Sequence, residues 1–255
     1  MKHFDLALRP IRYASVSGGK DSLYMLGLIL SNLDKYPLDL VVHFQLEIDY
    51  PWTQSVVNYM EIQCIEHGIK FLRIRPRKTW NELYEKYGFP SRKVRWCNGK
   101  YKLDAKEQLN QWIKSQFCRP VAYIGFCADE VKRFKYEIGN IIEGQEFIYP
   151  LAEEGIEENT VLEWARNQPI FNDFYKVNYR QGCMYCPMLQ YREMAYQMIK
   201  YPELSSIYWR MVFKEWNERK INCLRGDKYT PDYIYKRVKD YWVPKVLEEL
   251  KKHEQ

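Results

Sequence analysis

The sequence contains no Walker-type GxxxxGK[ST] loop, no unbroken apolar run of membrane-spanning length and no internal repeat. The first absence excludes the commonest nucleotide-binding loop. The second excludes a helical membrane protein, and with no signal-type apolar stretch at the N-terminus the chain is expected to be cytoplasmic, with no membrane partner. The third excludes solenoids and propellers. Low-complexity tracts are absent too. The seven cysteines are an odd number. A complete disulfide framework is therefore not expected, which leaves reduced thiols or a metal site.

What is present favours a folded α/β protein. Apolar residues make up 46% of 255 positions, enough for a sizeable core, and the net charge of +6 allows a polyanionic partner without requiring one. Short β-branched runs alternate with amphipathic segments. Arg12 to Val16, Leu38 to Glu47, "IKFLRIRP" and Pro120 to Cys127 read as strands. Ser22 to Ser31, Thr53 to Gly68 and "KLDAKEQLNQWIKSQ" read as the helices between them. This order predicts a doubly wound, mainly parallel sheet of Rossmann-like type, with ligands at the carboxyl ends of its strands. After about Pro150 the character changes. "EENTVLEWARNQ" predicts a helix capped by Asn159 or Thr160, and the remainder predicts a helical subdomain. The expected division is residues 1–175 for nucleotide binding and 176–255 for a cysteine loop with helices.

The first strand runs into Ser17-Gly18-Gly19-Lys20-Asp21-Ser22, followed at once by a helix. Gly18 and Gly19 let backbone turn sharply and approach a ligand without a Cβ clash. The free N–H groups of the helix start then point at the loop. Lys20 adds positive charge, Ser17 and Ser22 add hydroxyl donors, and Asp21 can hold Mg²⁺ against phosphate oxygens.

SGGKDS resembles the pyrophosphate-binding loop of the PP-loop ATP pyrophosphatases, the adenine nucleotide α-hydrolase group. Three further blocks narrow the likeness to the phosphoadenosine phosphosulfate (PAPS) reductase-like family. "YGFPSRKVRWCNGKYKLDA" resembles the family block in which Arg-Trp-Cys precedes a lysine. "GFCADEVKRF" resembles its later strand-end loop, with Gly125, Glu130 and Arg133 in the pattern. "NYRQGCMYCP" resembles the Arg-x-Gly-Cys-x-x-Cys-Pro block of members that include DNA-phosphorothioation proteins. The four blocks stand in the family's order from about Arg12 to Pro187. The likeness implies ATP and Mg²⁺ as cofactors, with Lys20, Asp21 and Arg133 as the catalytic set. It implies nucleotide binding by Ser17, Gly18, Gly19, Lys20, Asp21, Ser22, Arg95, Lys102, Gly125 and Glu130.

Residues 73 to 106 hold eleven Lys/Arg against three Asp/Glu. Such a run is a solvated face or an anion site; Arg95 and Lys102, in the Arg-Trp-Cys block, carry the anion reading. Glu47 and Asp49, after the second strand, are candidates for ribose hydroxyls. Cys183 and Cys186 form C-x-x-C, a spacing that lets two thiolates share one metal or cluster. With Cys97 from the family block, and Cys223 added by count, they make four candidate ligands for a [4Fe–4S] cluster, with zinc as the alternative. Packed thiols, or a redox dithiol at Cys183 and Cys186, remain the competing readings. Cys64, Cys118 and Cys127 read as small buried hydrophobes. "YWRMVFKEW" and "YIYKRVKDYW" interleave aromatics with cations, as helical cores do and as nucleic-acid faces do.

Three functions compete. An ATP pyrophosphatase would adenylylate an acceptor and release pyrophosphate, in sulfur transfer to nucleic acid or a small acceptor, with a sulfur-donor protein as partner. A sulfonucleotide reductase needs a nucleophilic cysteine, which the family carries in a C-terminal Glu-Cys-Gly-Leu-type motif; here the last cysteine is Cys223. A non-catalytic subunit would use the fold to bind nucleic acid or a partner. The first is the expected activity.

Overall fold

A computed structural model of the chain describes residues 8–130, 141–142, 145–224 and 229–253. In chain order the elements are β1 (Pro10–Val16), α1 (Lys20–Leu30), β2 (Leu40–Phe44), α2 (Pro51–Glu66), β3 (Lys70–Ile74), α3 (Trp80–Tyr87), α4 (Leu103–Ser115), β4 (Arg119–Tyr123), β5 (Ile141–Ile142) and β6 (Gln145–Ile148). The helices α5 (Pro150–Glu153), α6 (Glu158–Arg166), α7 (Phe174–Val177), α8 (Tyr191–Lys200), α9 (Pro202–Arg219), α10 (Pro231–Arg237) and α11 (Val243–Lys252) follow. Two π-helical stretches, Cys97–Lys102 and Val238–Trp242, lead into α4 and α11.

The chain forms two compact units, each discontinuous in sequence. The first comprises residues 1–46, 51–77 and 103–170; the second comprises 47–50, 78–102 and 171–255. The expected boundary near residue 175 divides the chain along its length, whereas the compact units divide it in space. Glu47–Tyr50 and Lys78–Lys102 leave the first unit and group with the C-terminal part.

The first unit is the predicted sheet, in the order β3-β2-β1-β4-β6-β5. All pairings are parallel except that of β5 with β6. The order reverses between β1 and β4, and such a switch point opens a crevice at the carboxyl ends of the two strands. Side chains alternate across the pleat. Tyr13, Leu40, Val42 and Ala122 form one buried face, covered by Leu109 and Ile113 of α4. Ala14, Val16, Val41 and Val121 are buried on the alternate positions, and α1 packs against β1 with α2, α5 and α6 beside it. The strands are shorter than their apolar runs: β2 ends at Phe44, where Gln45 begins the exit, and β4 ends at Tyr123, so Cys127 lies in a loop. The α6 cap also differs from expectation. Neither Asn159 nor Thr160 caps it; the helix begins at Glu158, whose N–H donates to Asp129 Oδ1 at 2.9 Å. An acceptor from the β4 loop removes the need for a local one.

The second unit is helical. A reciprocal capping box starts α3, with Glu82 N–H on Thr79 Oγ1 at 3.2 Å and Thr79 N–H on Glu82 Oε2 at 2.7 Å. Helix α8 packs against α7, α9 and α11, tied to α11 by an ion pair of Arg192 with Glu249. Tyr208, Trp209, Val212 and Ile234 are buried, while Tyr229, Tyr233 and Tyr241 stay exposed. The aromatic C-terminal segments thus serve as core on one side only. No described helix is long and apolar enough to cross a membrane.

Leu109 is 1% exposed at the centre of the α4 face. Its truncation to alanine leaves a cavity that rigid β-structure fills poorly. Leu109→Ala should lower unfolding free energy by about 2–5 kcal/mol, read as a lower urea midpoint by circular dichroism.

Candidate functional site

Ser17 to Ser22 turn the chain from β1 into α1. Gly18 has φ +78, and a Cβ there would stand 2.6 Å from Thr53 Cγ2 and 3.2 Å from Val57 Cγ2. Only glycine meets both the dihedral and the space. Gly19 is the N-cap in extended conformation, and no side chain caps the helix. The amide donors of its first turn are thereby left to a ligand, at the positive end of the helix dipole. The loop is braced from within. Ser22 Oγ donates to Gly19 O at 2.9 Å, Ser17 N–H donates to Ser22 Oγ at 3.2 Å, and the two hydroxyls lie 3.3 Å apart.

Lys20 is 1% exposed. Its Nζ lies 2.6 Å from Asp21 Oδ1 and 3.5 Å from Glu158 Oε1, so a nearly buried ammonium is bracketed by two carboxylates. A buried charge of this kind persists only when paired. The loop after β4 closes on the same place. A Cβ at Gly125 would meet Asp21 O at 2.9 Å and Asp21 C at 3.1 Å. Cys127 Sγ lies 3.7 Å from Asp21 Oδ1, and Cys127 N–H donates to Glu130 Oε2 at 3.2 Å. Burial first, then the Asp21 carboxylate, push the Cys127 thiol far above its ordinary range. Ser17, Gly18, Gly19, Lys20, Asp21, Ser22, Gly125 and Glu130 are thus gathered at the β1/β4 switch point. Arg133 lies outside the described residues.

Sequence reasoning missed Glu158, Asp129 and the position of Cys127. The signal for Glu158 was an acidic pair immediately before a helix, which on its own suggests only a favourable helix start.

The remaining candidates belong to the second unit. Arg95 and Lys102 are exposed there, at either end of the π-helical stretch, where Asn98 and Gly99 N–H groups bond to Arg95 O. Two other cations of the basic run are paired, Arg77 with Asp104 at 2.7 Å and Arg73 with Glu61 at 2.5 Å. These have the ordinary structural role. The Glu47 carboxylate is also occupied, since it accepts from Trp80 N–H at 2.8 Å at the start of α3.

Cys183 and Cys186 sit in a tight loop. Cys186 N–H bonds to Cys183 O at 3.1 Å, and Gly182 N–H bonds to Glu193 Oε1 at 3.0 Å. The two thiols share a hydrogen bond. That bond lowers the Cys186 thiol below its ordinary value and, with burial, raises Cys183 well above it. Cys97 is a third neighbour. Its thiol is raised by burial and by Cys186, and it acts in turn on Cys183, as Asp49 does. Trp80 packs on Trp96 at 4.7 Å and on Tyr185 at 6.0 Å, the residues that flank Cys97 and lie between the other two. Its buried indole N–H has no hydrogen-bond partner among the described residues.

Cys223 is not brought to this group. It is fully buried, with Sγ 3.7 Å from Ile221 O and 3.9 Å from Phe89 O, and its thiol is pushed up to about 12 by burial and then by Glu215. Adding it by count was the weak step, because a buried Cys is most often packing. Cys64 and Cys127 are buried as expected, but Cys118 is only partly so. Among the described residues no three His, Cys, Asp or Glu side chains converge closely enough to hold an ion. The three thiols are neighbours rather than a closed ligand set.

The family model for the phosphoadenosine phosphosulfate reductase domain matches residues 12–188. The chain belongs to that family. The matched span runs from β1 to just past Cys186, so it includes the SGGKDS loop, Gly125, Glu130 and three of the four candidate cysteines, and excludes Cys223. An uncharacterized protein of Methanocaldococcus jannaschii is 27% identical over 252 residues, covering 93% of this chain and 54% of the relative. The chain therefore spans about half the length of the curated relative it matches. Two solved structures are similar at low identity. PAPS reductase from Candida auris, in a phosphate complex, has a TM-score of 0.40 at 16% identity, covering 61% of this chain and 73% of that one. The U34-tRNA thiolase NcsA from Methanococcus maripaludis, with its [4Fe–4S] cluster, has a TM-score of 0.44 at 17% identity, covering 96% and 75%.

The glycine of the β4 loop has a checkable cost. At Gly125 the obstructing atoms are backbone and cannot swing away, whereas a Cβ at Gly27, in the middle of α1, would meet nothing within 4 Å. Gly125→Ala should destabilise by about 1–3 kcal/mol, and Gly27→Ala should stabilise by about 0.4–1 kcal/mol. Thermal unfolding of the two variants beside the parent measures both signs.

Proposed function

We propose that the chain is a PP-loop ATP pyrophosphatase that adenylylates an acceptor, in sulfur transfer to nucleic acid or a small molecule. The observation that carries this reading is the uncapped start of α1, behind a glycine at φ +78 and beside a buried lysine ammonium. An acceptor oxygen attacks the α-phosphorus of ATP, the bond from that phosphorus to the bridging oxygen breaks, and pyrophosphate leaves with the bond's electrons. The loop amides, the Ser17 hydroxyl and Lys20 hold the leaving pyrophosphate while the Ser22 hydroxyl braces the loop on Gly19 O, so catalysis is positioning and charge stabilisation. Arg133 keeps the phosphate role that the family pattern gives it, and Arg95 and Lys102 are anion contacts. Asp21 and Glu158 offer the oxygen donors that suit Mg²⁺, which when bound supplies charge neutralisation at the phosphates. The adenylylated acceptor then awaits sulfur from a donor protein in the cytoplasm.

A thiolate-held centre belongs to the same reading. Cys97, Cys183 and Cys186 would have to draw closer than they stand to hold it, and their thiolate chemistry suits a [4Fe–4S] cluster, with zinc as the alternative. Two of these thiols are hydrogen-bonded to each other, and an indole N–H with no partner among the described residues lies among the residues flanking them. A cation among crowded thiols relieves their mutual repulsion. It would tie the Lys78–Lys102 segment to the C-terminal segment within the second unit.

The family's own name favours a second reading, reduction of a sulfonucleotide. Reduction needs a reactive thiolate, and a fully buried Cys223 with its thiol pushed up to about 12 is a poor one.

Incubation with α-labelled ATP, Mg²⁺, acceptor RNA or a small oxygen-bearing acceptor, and sulfide as the sulfur source that displaces AMP, should yield AMP and pyrophosphate. ADP and phosphate would sink the assignment. Lys20→Ala should lower turnover by about 10²–10³-fold, the usual loss of one preorganised electrostatic contact. With PAPS and thioredoxin the protein should release no sulfite; robust release would install the reductase reading.

After anaerobic purification, iron and sulfide, or zinc, should be stoichiometric in the parent and lost from Cys183→Ser and Cys97→Ser. Cys223→Ser should retain the metal. Full metal content in Cys183→Ser would leave the three cysteines as packed thiols.

A further inference from the structure

The second unit contains a cavity of about 910 Å³ that none of the chemistry above uses. Among the described residues its walls come from the segment Tyr87 to Trp96 on one side and from Glu215, Trp216, Lys220 to Asn222, Leu224, Tyr229 and Thr230 on the other. The volume is at the upper end for small-ligand sites, which leaves room for more than one nucleotide-sized group.

The lining is both aromatic and cationic. Tyr87, Trp216 and Tyr229 supply ring faces, and Arg92, Lys93 and Lys220 supply charge. Among the described lining residues the single acid, Glu215, is 4% exposed and already engaged: it accepts from Phe89 N–H at 3.0 Å and pairs with Arg219 at 3.4 Å. The described residues that face a ligand therefore carry net positive charge. Gly88, at φ +74, makes this arrangement fit. A Cβ there would stand 2.2 Å from an Arg219 guanidinium nitrogen and 2.5 Å from Glu215 Oε1. Arg92 and Lys93 are both exposed. They sit at the tip of a turn closed by Ser91 N–H on Val94 O at 3.1 Å and Val94 N–H on Ser91 Oγ at 3.0 Å.

The rings are built as platforms. Tyr229 stacks on Tyr233 at 4.6 Å with 13° between planes, and each is 45% exposed. Two stacked tyrosines left half in water present a ring face that a further base can cover. Ammonium groups of Lys86 and Lys100 lie 5.5 and 5.4 Å from the Tyr87 ring. Rings for bases and cations for a backbone, in one groove, match a single-stranded nucleic acid. An apolar peptide would use the rings and ignore the charge. An acidic peptide would use the charge and leave the rings bare.

We propose that this cavity binds a short single-stranded stretch of nucleic acid, with bases against Tyr87, Trp216 and Tyr229 and phosphates against Arg92, Lys93 and Lys220. The inference rests on the reading that nucleic acid is the acceptor, and it names where the acceptor's strand is held.

The test is fluorescence anisotropy of the full chain, without ATP, against labelled single strands of about twelve nucleotides, RNA and DNA in separate arms. Trp216→Ala and the double variant Arg92→Ala/Lys93→Ala should each weaken binding about tenfold. The double variant should also flatten the salt dependence, lowering the slope of log Kd against log salt by about 1.4, or about 0.7 for each phosphate that the two cations neutralise. Trp216→Phe keeps a ring and should bind nearly as the parent does, which separates stacking from loss of fold. Lys20→Ala should bind the strand unchanged. The proposal fails if neither strand binds at low salt, if the cavity variants bind like the parent, or if a polyglutamate of matched charge displaces the strand at equal concentration. A parent that binds the strand through these residues but forms no AMP overturns the adenylylation reading and leaves the cavity site standing. AMP formation with cavity variants of parental affinity overturns the cavity site alone.

Discussion

A lysine ammonium with almost no access to water is the constraint around which the first unit is arranged. Lys20 occupies the first position of a helix, where the backbone already concentrates positive potential, and its own charge adds to that field. Stability would argue for an apolar residue there. The arrangement holds because Asp21 and Glu158 flank the charge, and because Asp129 and Gly125 bring the β4 loop and the start of α6 close enough for Glu158 to reach. The glycines before Lys20 are part of the same constraint, since a side chain at Gly18 would collide with α2. The sheet order, the switch point and the two loops that meet there place an uncapped helix end and a cation at one spot.

Most of that was legible in the residues. The SGGKDS loop lies between a β-branched run and an amphipathic one, and both flanks have the period of the element they form. The four parallel strands that carry Val, Ile and Leu in runs were readable for the same reason. Strand β6 was not, because Gln145–Ile148 is four residues long and takes its identity from pairing with β4 rather than from any apolar pattern. The cap of α6 was misplaced because the acceptor comes from a residue 29 positions away. Local sequence rules see only local partners.

The cysteines show the same division. Cys183 and Cys186 are close because of their spacing, and Cys97 joins them because the Arg-Trp-Cys block folds with the C-terminal part. Nothing in the periodicity of residues 78–102 signals that they leave the sheet unit. Cys223 had only its number to recommend it, and the fold encloses it among carbonyls instead. The basic run between residues 73 and 106 likewise dissolves into separate roles. Arg73 and Arg77 close ion pairs in the first unit, whereas Arg92 and Lys93 stand at the tip of a turn in the second.

The interleaved units also impose an order on the making of the protein. Every residue of the sheet unit has been synthesised once the ribosome has passed Ile170, so that unit can close while translation continues. The second unit cannot. Its segments 47–50 and 78–102 emerge early and must wait, with Trp80, Phe89 and Trp96 uncovered, until α8 and α9 appear behind them. The nascent chain thus carries an unpartnered aromatic loop out of a finished domain while residues 171–219 are made, a period during which chaperone capture or pairing with another nascent copy competes with correct closure.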